Sequence, residues 1–333
     1  MNKEKIVEKL IELLDFTEAT LTEVDEDLLK NTGLESFIYV KLTTQKFRNA
    51  ALSKKMKRYI RSVIKDSIEQ NRAIHITVPF GGYKHYKNKY YPNIGWAEVF
   101  NLIHLLDYVK VISKAYKPGI ILEYFYDEIF VERLNKIPQK DLDTYNKNFA
   151  DLCAHYNELT PSHIDIRYSK ISDKVGPEVL HTRFDKAIEK LEKEWDDLGE
   201  DAKNIRLGKA RRNYAFSIEH LSGSQQNEIL KEPALIHDAF IFGDWEEGVH
   251  WAFENYMIPI GFRYTGEWGI GIYSSKGGSS VQFWVGHGVL QIVEDKVKPH
   301  IYTHKQLEQI KSSIESINLD LQYPFPDSII ISH

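Results

Sequence analysis

The sequence predicts an α/β fold in which a Rossmann-like, mostly parallel sheet is flanked by helices and followed by a strand-rich C-terminal portion. Two short runs, at 74–78 and 120–125, have the β-branched and aromatic composition of buried strands. Helical periodicity fills the residues between them, and a strand, helix, strand order is typical of parallel pairing. After residue 258 the pattern changes to several short strand-like runs.

The chain of 333 residues is long for a single hydrophobic core. We expect an N-terminal helical segment over 1–70 and a Rossmann-like core over 71–220 with a helical insertion near 177–200. An α+β portion over 221–333 is expected to complete the same domain. The sequence contains no internal repeat and no low-complexity linker.

Composition narrows the classes of function. A hydrophobic fraction of 42% and a charged fraction of 27% are typical of a soluble globular protein. The 43 basic and 48 acidic residues give a formal charge of −5, which provides no general field for a nucleic-acid partner. No apolar run approaches the ~20 residues of a membrane span. We therefore expect a cytoplasmic protein with neither a nucleic-acid nor a membrane partner, while its oligomeric state stays open.

The sequence contains no convincing metal-binding motif. Cys153 is the sole cysteine, which excludes an intrachain disulfide and a thiolate-rich zinc site. His300 and His304 are spaced like two ligands on one helical face, but Pro299 and the expected cap at Thr303 interrupt that spacing. We interpret both as surface histidines. Since no P-loop, nucleophile elbow or HExxH helix occurs either, the sequence predicts no metal and no cofactor.

The elements before the first strand are predicted to be mainly helical. Apolar residues recur at helical spacing over 4–14, and an acidic helical region follows over 17–29. A break at 31–33 precedes a candidate short strand at 37–42. Ser53 begins a basic helix through residue 68, whose crowded lysines and arginines indicate a solvated face.

Helices alternate with strands in the middle of the chain. Asn93 is the candidate N-cap of the first of these helices, and Pro118-Gly119 ends the second. A third strand is expected at 163–168. The predicted helices of this part lie at 96–106, 108–116, 142–156, 177–198 and 201–214.

Short strands and a final helix are predicted for the C-terminal part. The strand-like runs lie at 258–264, 268–274, 280–286 and 289–293. Residues 275–278 have the composition of a hairpin turn, and Gly269 and Gly271 lack the context of a dinucleotide-binding motif. Thr303 is expected to cap a helix over 306–317, and 329–331 to add an edge strand.

The candidate site begins at the loop that follows the first predicted strand. Pro79 cannot donate to a ladder, and Gly81-Gly82 can adopt backbone angles closed to other residues. Lys84 beside this backbone could bind a phosphate or a carboxylate or, if desolvated, act as an amine nucleophile, and His85 could exchange protons near neutral pH. The alternative is a plain connection with a solvated lysine.

Polar side chains also follow the second predicted strand, at Tyr126-Asp127-Glu128. Open α/β sheets bind ligands outside the carboxyl ends of their strands. Two consecutive polar strand ends therefore predict a site between them, with Gly81, Gly82, Asp127 and Glu128 as candidate substrate-binding residues.

A cationic stretch further along the chain offers another means of binding an anion. Its cations are Arg206, Lys209, Arg211 and Arg212. They could clamp a phosphate, although such clusters are more commonly a solvated helix face. Ser217, Glu219 and His220 follow, but strand alternation would place Ser217 and His220 on opposite faces, so they do not indicate a hydrolase triad.

Four segments within about residues 72–160 occur in the order of a known family's motifs. They are Val78-Pro79-Phe80-Gly81-Gly82-Tyr83-Lys84, then Pro92-Asn93 with Ala97-Glu98 and Leu102, then Ile112 with Tyr116 and Pro118-Gly119, and finally Tyr126-Asp127-Glu128 with Phe130. This order resembles the pyoverdine/dityrosine biosynthesis family, whose best-known members are the isonitrile synthases. A fainter similarity continues at Arg212, at Ser217-Ile218-Glu219-His220 and at Trp284-Val285-Gly286-His287.

That family condenses an amino acid with a pentulose phosphate and converts the α-amine to an isonitrile through an imine. The resemblance implies small-molecule substrates of these two kinds. It makes Lys84 a phosphate or carboxylate binder or an acid/base, and His220 and His287 proton-transfer or binding residues. It makes Asp127 a polar anchor and Arg212 a phosphate contact. Glu98 and Ser217, which lie in the matching segments, are further candidate substrate-binding residues.

The sequence departs from the family pattern at several of these positions. His85 stands where the family has a serine, and Tyr126 and Glu128 stand in place of a serine and a glycine. Glu219 is inserted before His220. We expect a biosynthetic enzyme resembling isonitrile synthases that uses a sugar phosphate such as ribulose 5-phosphate. The alternatives are another transferase or lyase acting on a nucleotide or sugar phosphate, and a non-catalytic binding module.

Overall fold

The computed structural model describes residues 1–126, 128–214, 217–239, 256–262 and 269–332. Its central sheet consists of β1 (Ile74–Phe80), β2 (Ile120–Tyr126), β3 (Ile164–Lys170), β4 (Met257–Gly261) and β5 (Ile270–Gly271). The strands lie in the order β3-β2-β1-β4-β5, and each neighbouring pair is parallel. The predicted α/β class with a mostly parallel sheet is confirmed.

The strand order determines where the sheet can bind a ligand. Phe80 pairs with Tyr126, and Tyr126 with Lys170, so the carboxyl ends of β1, β2 and β3 are level. The chain moves from β1 to β2 to β3 in one direction and later adds β4 on the other side of β1. The topological switch point, where open α/β sheets form their binding crevice, is therefore between β1 and β4. The sequence had indicated the neighbouring gap, between β1 and β2.

Helices cover the sheet and also form the N-terminal part of the chain. They are α1 (Lys3–Leu14), α2 (Glu23–Leu42), α3 (Lys54–Glu69), α4 (Trp96–Ala115), α5 (Glu128–Asn135), α6 (Gln139–Leu159), α7 (Ile171–Val175), α8 (Pro177–Trp195), α9 (Glu200–Asn213), α10 (Gly223–Ala239) and α11 (His304–Gln309). One core joins the apolar faces of α1–α4 and α6 to the sheet, while α8–α10 form a second core against Phe125 and Met257. None of the helices in the described ranges has the length and apolar character that a membrane crossing needs.

A second, mixed sheet follows the first along the chain. It consists of β6 (His287–Val293), β7 (Lys296–Tyr302), β8 (Ile314–Asn318) and β9 (Ser328–Ser332), in the order β7-β6-β9-β8. It packs directly on the start of α4. The approach is so close that a Cβ atom added at Gly288 would lie 2.4 Å from the backbone nitrogen of Ala97. Only a glycine fits there. This contact brings the first residues of β6 to the carboxyl edge of the central sheet.

Several local predictions differ from the structure. Residues 37–42 are not a strand but the end of α2, where Phe37, Ile38 and Leu42 are buried on one side. The predicted break is present at Gly33, with φ +79°. The helices predicted at 96–106 and 108–116 are one helix, α4, and its N-cap is Gly95 rather than Asn93. In each case tertiary burial of a helical face outweighs local strand or cap propensity.

In the C-terminal part, too, tertiary contacts override the local predictions. Residues 280–286 form turns rather than a strand, with the Gly286 N–H donating to the Phe283 carbonyl. The helix capped by Thr303 ends at Gln309, and residues 314–318 form β8. Residues 329–331 belong to β9, which pairs with both β6 and β8 and is therefore an interior strand. The apolar spacing of residues 310–317 is compatible with a helix, but pairing with β9 makes residues 314–318 a strand.

Candidate active site

A buried ion pair anchors the loop after β1. Lys84 is only 1% exposed, and its Nζ lies 2.9 Å from both carboxylate oxygens of Glu98 in the first turn of α4. The same Nζ donates to the carbonyls of Phe283 and Gly286 at 3.2 and 3.1 Å. Because all four neighbours are acceptors, the arrangement requires an ammonium, and its three N–H groups are fully used by protein atoms. Lys84 is therefore not a solvated loop lysine, and its role as a substrate binder or an acid/base stays a prediction.

Glu98 connects this lysine to two further parts of the fold. Its carboxylate accepts hydrogen bonds from the Gly95 N–H at 2.9 Å and from the Tyr145 hydroxyl of α6 at 3.1 Å. Burial lowers the pKa of the Lys84 ammonium, and the Glu98 charge opposes that shift. Glu98 is fully buried, and these contacts hold the loop in place. Its role in binding a substrate stays a prediction.

The two loop glycines let the backbone lie directly against aromatic rings. Gly82 has φ +65°, and a Cβ atom there would lie 2.6 Å from the side chain of Tyr126. A Cβ atom at Gly81 would lie 2.6 Å from Nε1 of Trp284. The predicted need for glycine backbone angles is met at Gly82. Close packing already accounts for both residues, and their role in binding a substrate stays a prediction.

Aromatic side chains fill the carboxyl edge of the sheet beside this loop. Phe80 at the end of β1 packs on Phe149 of α6, with ring centroids 5.1 Å apart, and on Phe283 at 5.3 Å. Phe283 also contacts Phe262, just after β4, at 5.7 Å. The turn at 283–286 therefore covers one side of the switch point between β1 and β4.

Three histidines gather next to that turn. His85 belongs to the loop after β1, and its backbone N–H donates to the Trp284 carbonyl at 3.1 Å. His287 opens β6 and His304 opens α11, with their ring centroids 5.5 Å apart. We call His85, His287 and His304 the histidine cluster. His304, interpreted from the sequence as a surface residue, is half-buried and belongs to this group.

Burial and nearby positive charge keep two of these imidazoles neutral. Burial, assisted by the charges of Lys87, His304 and Lys84, lowers the pKa of His85 to about 4. Burial and the charges of Lys84, His304 and His85 lower the pKa of His287 to about 3. At neutral pH both rings are therefore unprotonated and can accept a hydrogen bond. An anion placed among them would raise both pKa values.

The free energy of unfolding is expected to fall as the pH is lowered from about 7 to about 5. Both histidines have folded-state pKa values below the 6.5 of an exposed histidine. Their stabilising contribution is complete above that value and is lost as the pH falls towards the folded pKa, because the unfolded chain takes up the protons. Carboxylates are largely ionised in both states above about pH 5.

Urea unfolding at several pH values measures this slope directly. Replacing His287 by glutamine should reduce it by up to about 1.4 kcal/mol per pH unit, the limit for one proton, which is approached as the pH nears 5. His181→Gln, at an exposed position on α8, is the matched control and should leave the slope unchanged. Equal slopes for wild type and His287→Gln would contradict the neutral state of the His287 ring.

The remaining predicted residues lie elsewhere or outside the described part. Arg206 on α9 is paired with the buried Asp238 of α10, with Nε 2.8 Å from Oδ2. Ser217 and His220 are exposed. None of the hydrogen bonds or ion pairs of the described residues joins any of the three to the histidine cluster. Asp127 lies outside the described residues, as do the side chains of Glu128 and Arg212.

A second buried polar centre, absent from the sequence-based predictions, lies between β1, β2 and β3. Glu123 is 1% exposed, and its Oε2 lies 2.6 Å from Nε2 of His75. Ser169 donates to Oε1 at 2.5 Å, and Lys174 lies 3.9 Å from the same oxygen. Burial raises the pKa of Glu123, but these partners lower it more, so the net shift is downward. The sequence does show an ionisable residue inside each of two apolar strands. Because such residues are buried only when they are paired, this pattern could have indicated the buried centre.

The described residues contain no group of three or more His, Cys, Asp or Glu side chains arranged to hold a metal ion. What they do define is an open α/β protein with an ionisable cluster at the carboxyl edge of its parallel sheet. No protein-family model matches the chain, and no curated protein sequence does.

The fold is similar to the crystal structure of the PvcA protein from Pseudomonas aeruginosa. The TM-score is 0.65 at 13% sequence identity, over 90% of this chain and 100% of that chain. A likeness at this identity shows a shared fold and does not by itself transfer a reaction or a substrate.

Proposed function

We propose that this chain is a biosynthetic enzyme related to isonitrile synthases, which condenses an amino acid or a related amine with a sugar phosphate such as ribulose 5-phosphate. The observation that carries the proposal is the histidine cluster at the carboxyl edge of β1, where neutral imidazoles adjoin several lysines. The fold shared with PvcA and the order of the motif segments support it.

The chemistry of such a condensation needs proton transfers at one place. The amine attacks the carbonyl carbon of the sugar phosphate, and its first proton moves to the carbonyl oxygen to give a hydroxyl. The second amine proton then moves to that hydroxyl, which leaves as water, forming an imine. A neutral imidazole can accept each amine proton and, as imidazolium, deliver it to this oxygen. His85 and His287 are the residues we assign to these roles.

A phosphorylated substrate would raise the pKa of these two histidines. The lysines whose charges act on the cluster, Lys87 and Lys89, supply positive potential for a phosphate dianion. A bound dianion raises the pKa of the neighbouring imidazoles towards neutrality, where general acid–base catalysis is most effective. The buried Lys84–Glu98 pair positions the loop that carries His85.

Incubation with ribulose 5-phosphate and each of the twenty amino acids tests the proposal. With at least one of them, mass spectrometry should show a product in which one carbon replaces the two amine hydrogens. The same mixtures without sugar phosphate are the control. If no amino acid gives a new product, the proposed reaction is wrong.

A second candidate is another transferase or lyase that acts on a sugar phosphate or a nucleotide. The same positive potential around the histidine cluster favours it, because that potential selects a phosphate group and not a particular co-substrate. Stabilisation of the fold by a phosphorylated ligand, without any isonitrile product, is the outcome that would distinguish it.

A further inference from the structure

A cleft in the N-terminal helical layer, separate from the histidine cluster, combines a buried histidine with an excess of lysines. It encloses about 490 Å³ between α2, the segment that follows it and the middle of α4. Asp107 in the cleft lies nine residues beyond Glu98, which places it about 14 Å further along α4. We call it the lysine cleft; its charged lining residues are Asp25, Lys41, Lys46, Asp107, Lys110 and Lys276.

Positive charge exceeds negative charge in this cleft. Lys41 forms an ion pair with Asp25. Lys110 and Lys276 share a single carboxylate, with their Nζ atoms 2.5 and 3.4 Å from Asp107. The remaining ammonium, that of Lys46, lies 5.3 Å from the centre of the Phe47 ring. Two of the four ammonium charges are therefore not balanced by the carboxylates that line the cleft.

The excess of positive charge continues beyond the cleft at Lys276. This lysine also lines a neighbouring surface hollow whose other cations are Lys9, Lys296 and Lys298, with Glu12 as the one carboxylate. On a chain whose formal charge is −5, such a concentration of lysines is a local feature that attracts anions.

His104 is a buried polar residue in the lining of the cleft. It is 5% exposed, and neither of its ring nitrogens has a hydrogen-bond partner at good geometry among the described residues. Burial lowers its pKa to about 4; Lys276 and Lys46 add to that shift, whereas Asp107 and, more weakly, the main chain of Tyr273 oppose it. A buried polar group without a partner is costly, so a ligand that accepts its N–H hydrogen bond would be bound the more tightly.

An apolar wall completes the cleft. The rings of Phe47 and Tyr108 lie 5.2 Å apart, and Val111 is beside them in the lining. Such a wall can hold the flat organic part of a ligand, whereas an anion alone would leave it exposed.

We propose that the lysine cleft binds a small phosphorylated molecule, a phosphomonoester whose dianion lies between Lys46 and Lys276 and accepts a hydrogen bond from His104. The dianion matches the two unbalanced ammonium charges, and lysine is a common point-charge partner of phosphate. The organic part lies against Phe47 and Tyr108. This inference is independent of the function proposed for the histidine cluster.

Isothermal titration of the full chain with AMP, inorganic phosphate and adenosine tests the site. AMP should bind more tightly than phosphate, and adenosine should not bind measurably. The variant Lys46→Gln/Lys276→Gln should weaken AMP binding about tenfold, since it removes the two ammonium charges proposed to bind the dianion. Both side chains are largely exposed, so the variant is expected to keep its melting temperature.

The matched control removes the same net charge elsewhere. Lys55→Gln/Lys57→Gln changes two exposed lysines of α3 and should leave AMP affinity within about twofold, which separates a local site from a general charge effect. Absence of AMP binding, or AMP binding that survives Lys46→Gln/Lys276→Gln, would overturn the assignment. Adenosine binding as tight as AMP binding would overturn the phosphate requirement.

Discussion

Replacing Lys84 by methionine is expected to reduce the free energy of unfolding by about 3–5 kcal/mol, the usual cost of breaking a buried ion pair on one side. Methionine fills a similar volume without the charge, so packing changes little. The Glu98 carboxylate, which is fully buried, then lacks a cation, and the carbonyls of Phe283 and Gly286 lose their donor. Urea unfolding at neutral pH measures the loss.

Two further variants separate the ion pair from other effects. Lys87→Met changes an exposed lysine of the same loop and should alter stability by no more than about 0.5 kcal/mol. Lys84→Met/Glu98→Gln removes the unpaired charge while keeping a side chain that can accept from Gly95, so it should be more stable than Lys84→Met alone. A Lys84→Met protein within about 1 kcal/mol of wild type would show that the pair does not anchor the loop.

Replacing His287 by glutamine is expected to lower kcat/KM for the proposed condensation about 10²–10⁴-fold, the range typical of a lost general acid–base group. Glutamine can hydrogen-bond as an imidazole does but cannot transfer the proton. The measurement is the rate of product formation from ribulose 5-phosphate and the amino acid identified as the amine substrate. Melting temperature, recorded alongside, checks that the variant is folded.

His181→Gln is the control for this experiment too, because its side chain is exposed on α8, away from β6. It should leave kcat/KM unchanged. Turnover by His287→Gln equal to that of wild type would remove His287 from the mechanism. A loss shared by both variants would point to a general effect of removing a histidine.

Much of the central sheet could be predicted because its information is local. The runs that form β1, β2 and β3 have strand composition, and their order with α4 and α6 specifies parallel pairing. The ends of the chain were predicted less well. Residues 37–42 and 310–317 have apolar patterns compatible with either helix or strand, and only their tertiary partners decide between the two.

The candidate site, too, could be predicted only in part from local sequence. His85 and His287 could be singled out as ionisable residues at motif positions, but nothing local indicated that His304 joins them. Glu123 and His75 were overlooked because each occurs singly in an apolar strand, 48 residues apart in sequence. Their pairing is a property of the register between β1 and β2.

By itself, the sequence determined that the chain is an α/β protein with a glycine loop at the end of its first strand. Strand propensity, helical periodicity and the need for glycine at positive φ act within a few residues, so they are legible in sequence order. Only the tertiary structure decided what Lys84 does. Its carbonyl partners lie 199 and 202 residues away, and burial among them changes a solvated cation into an anchor of the fold.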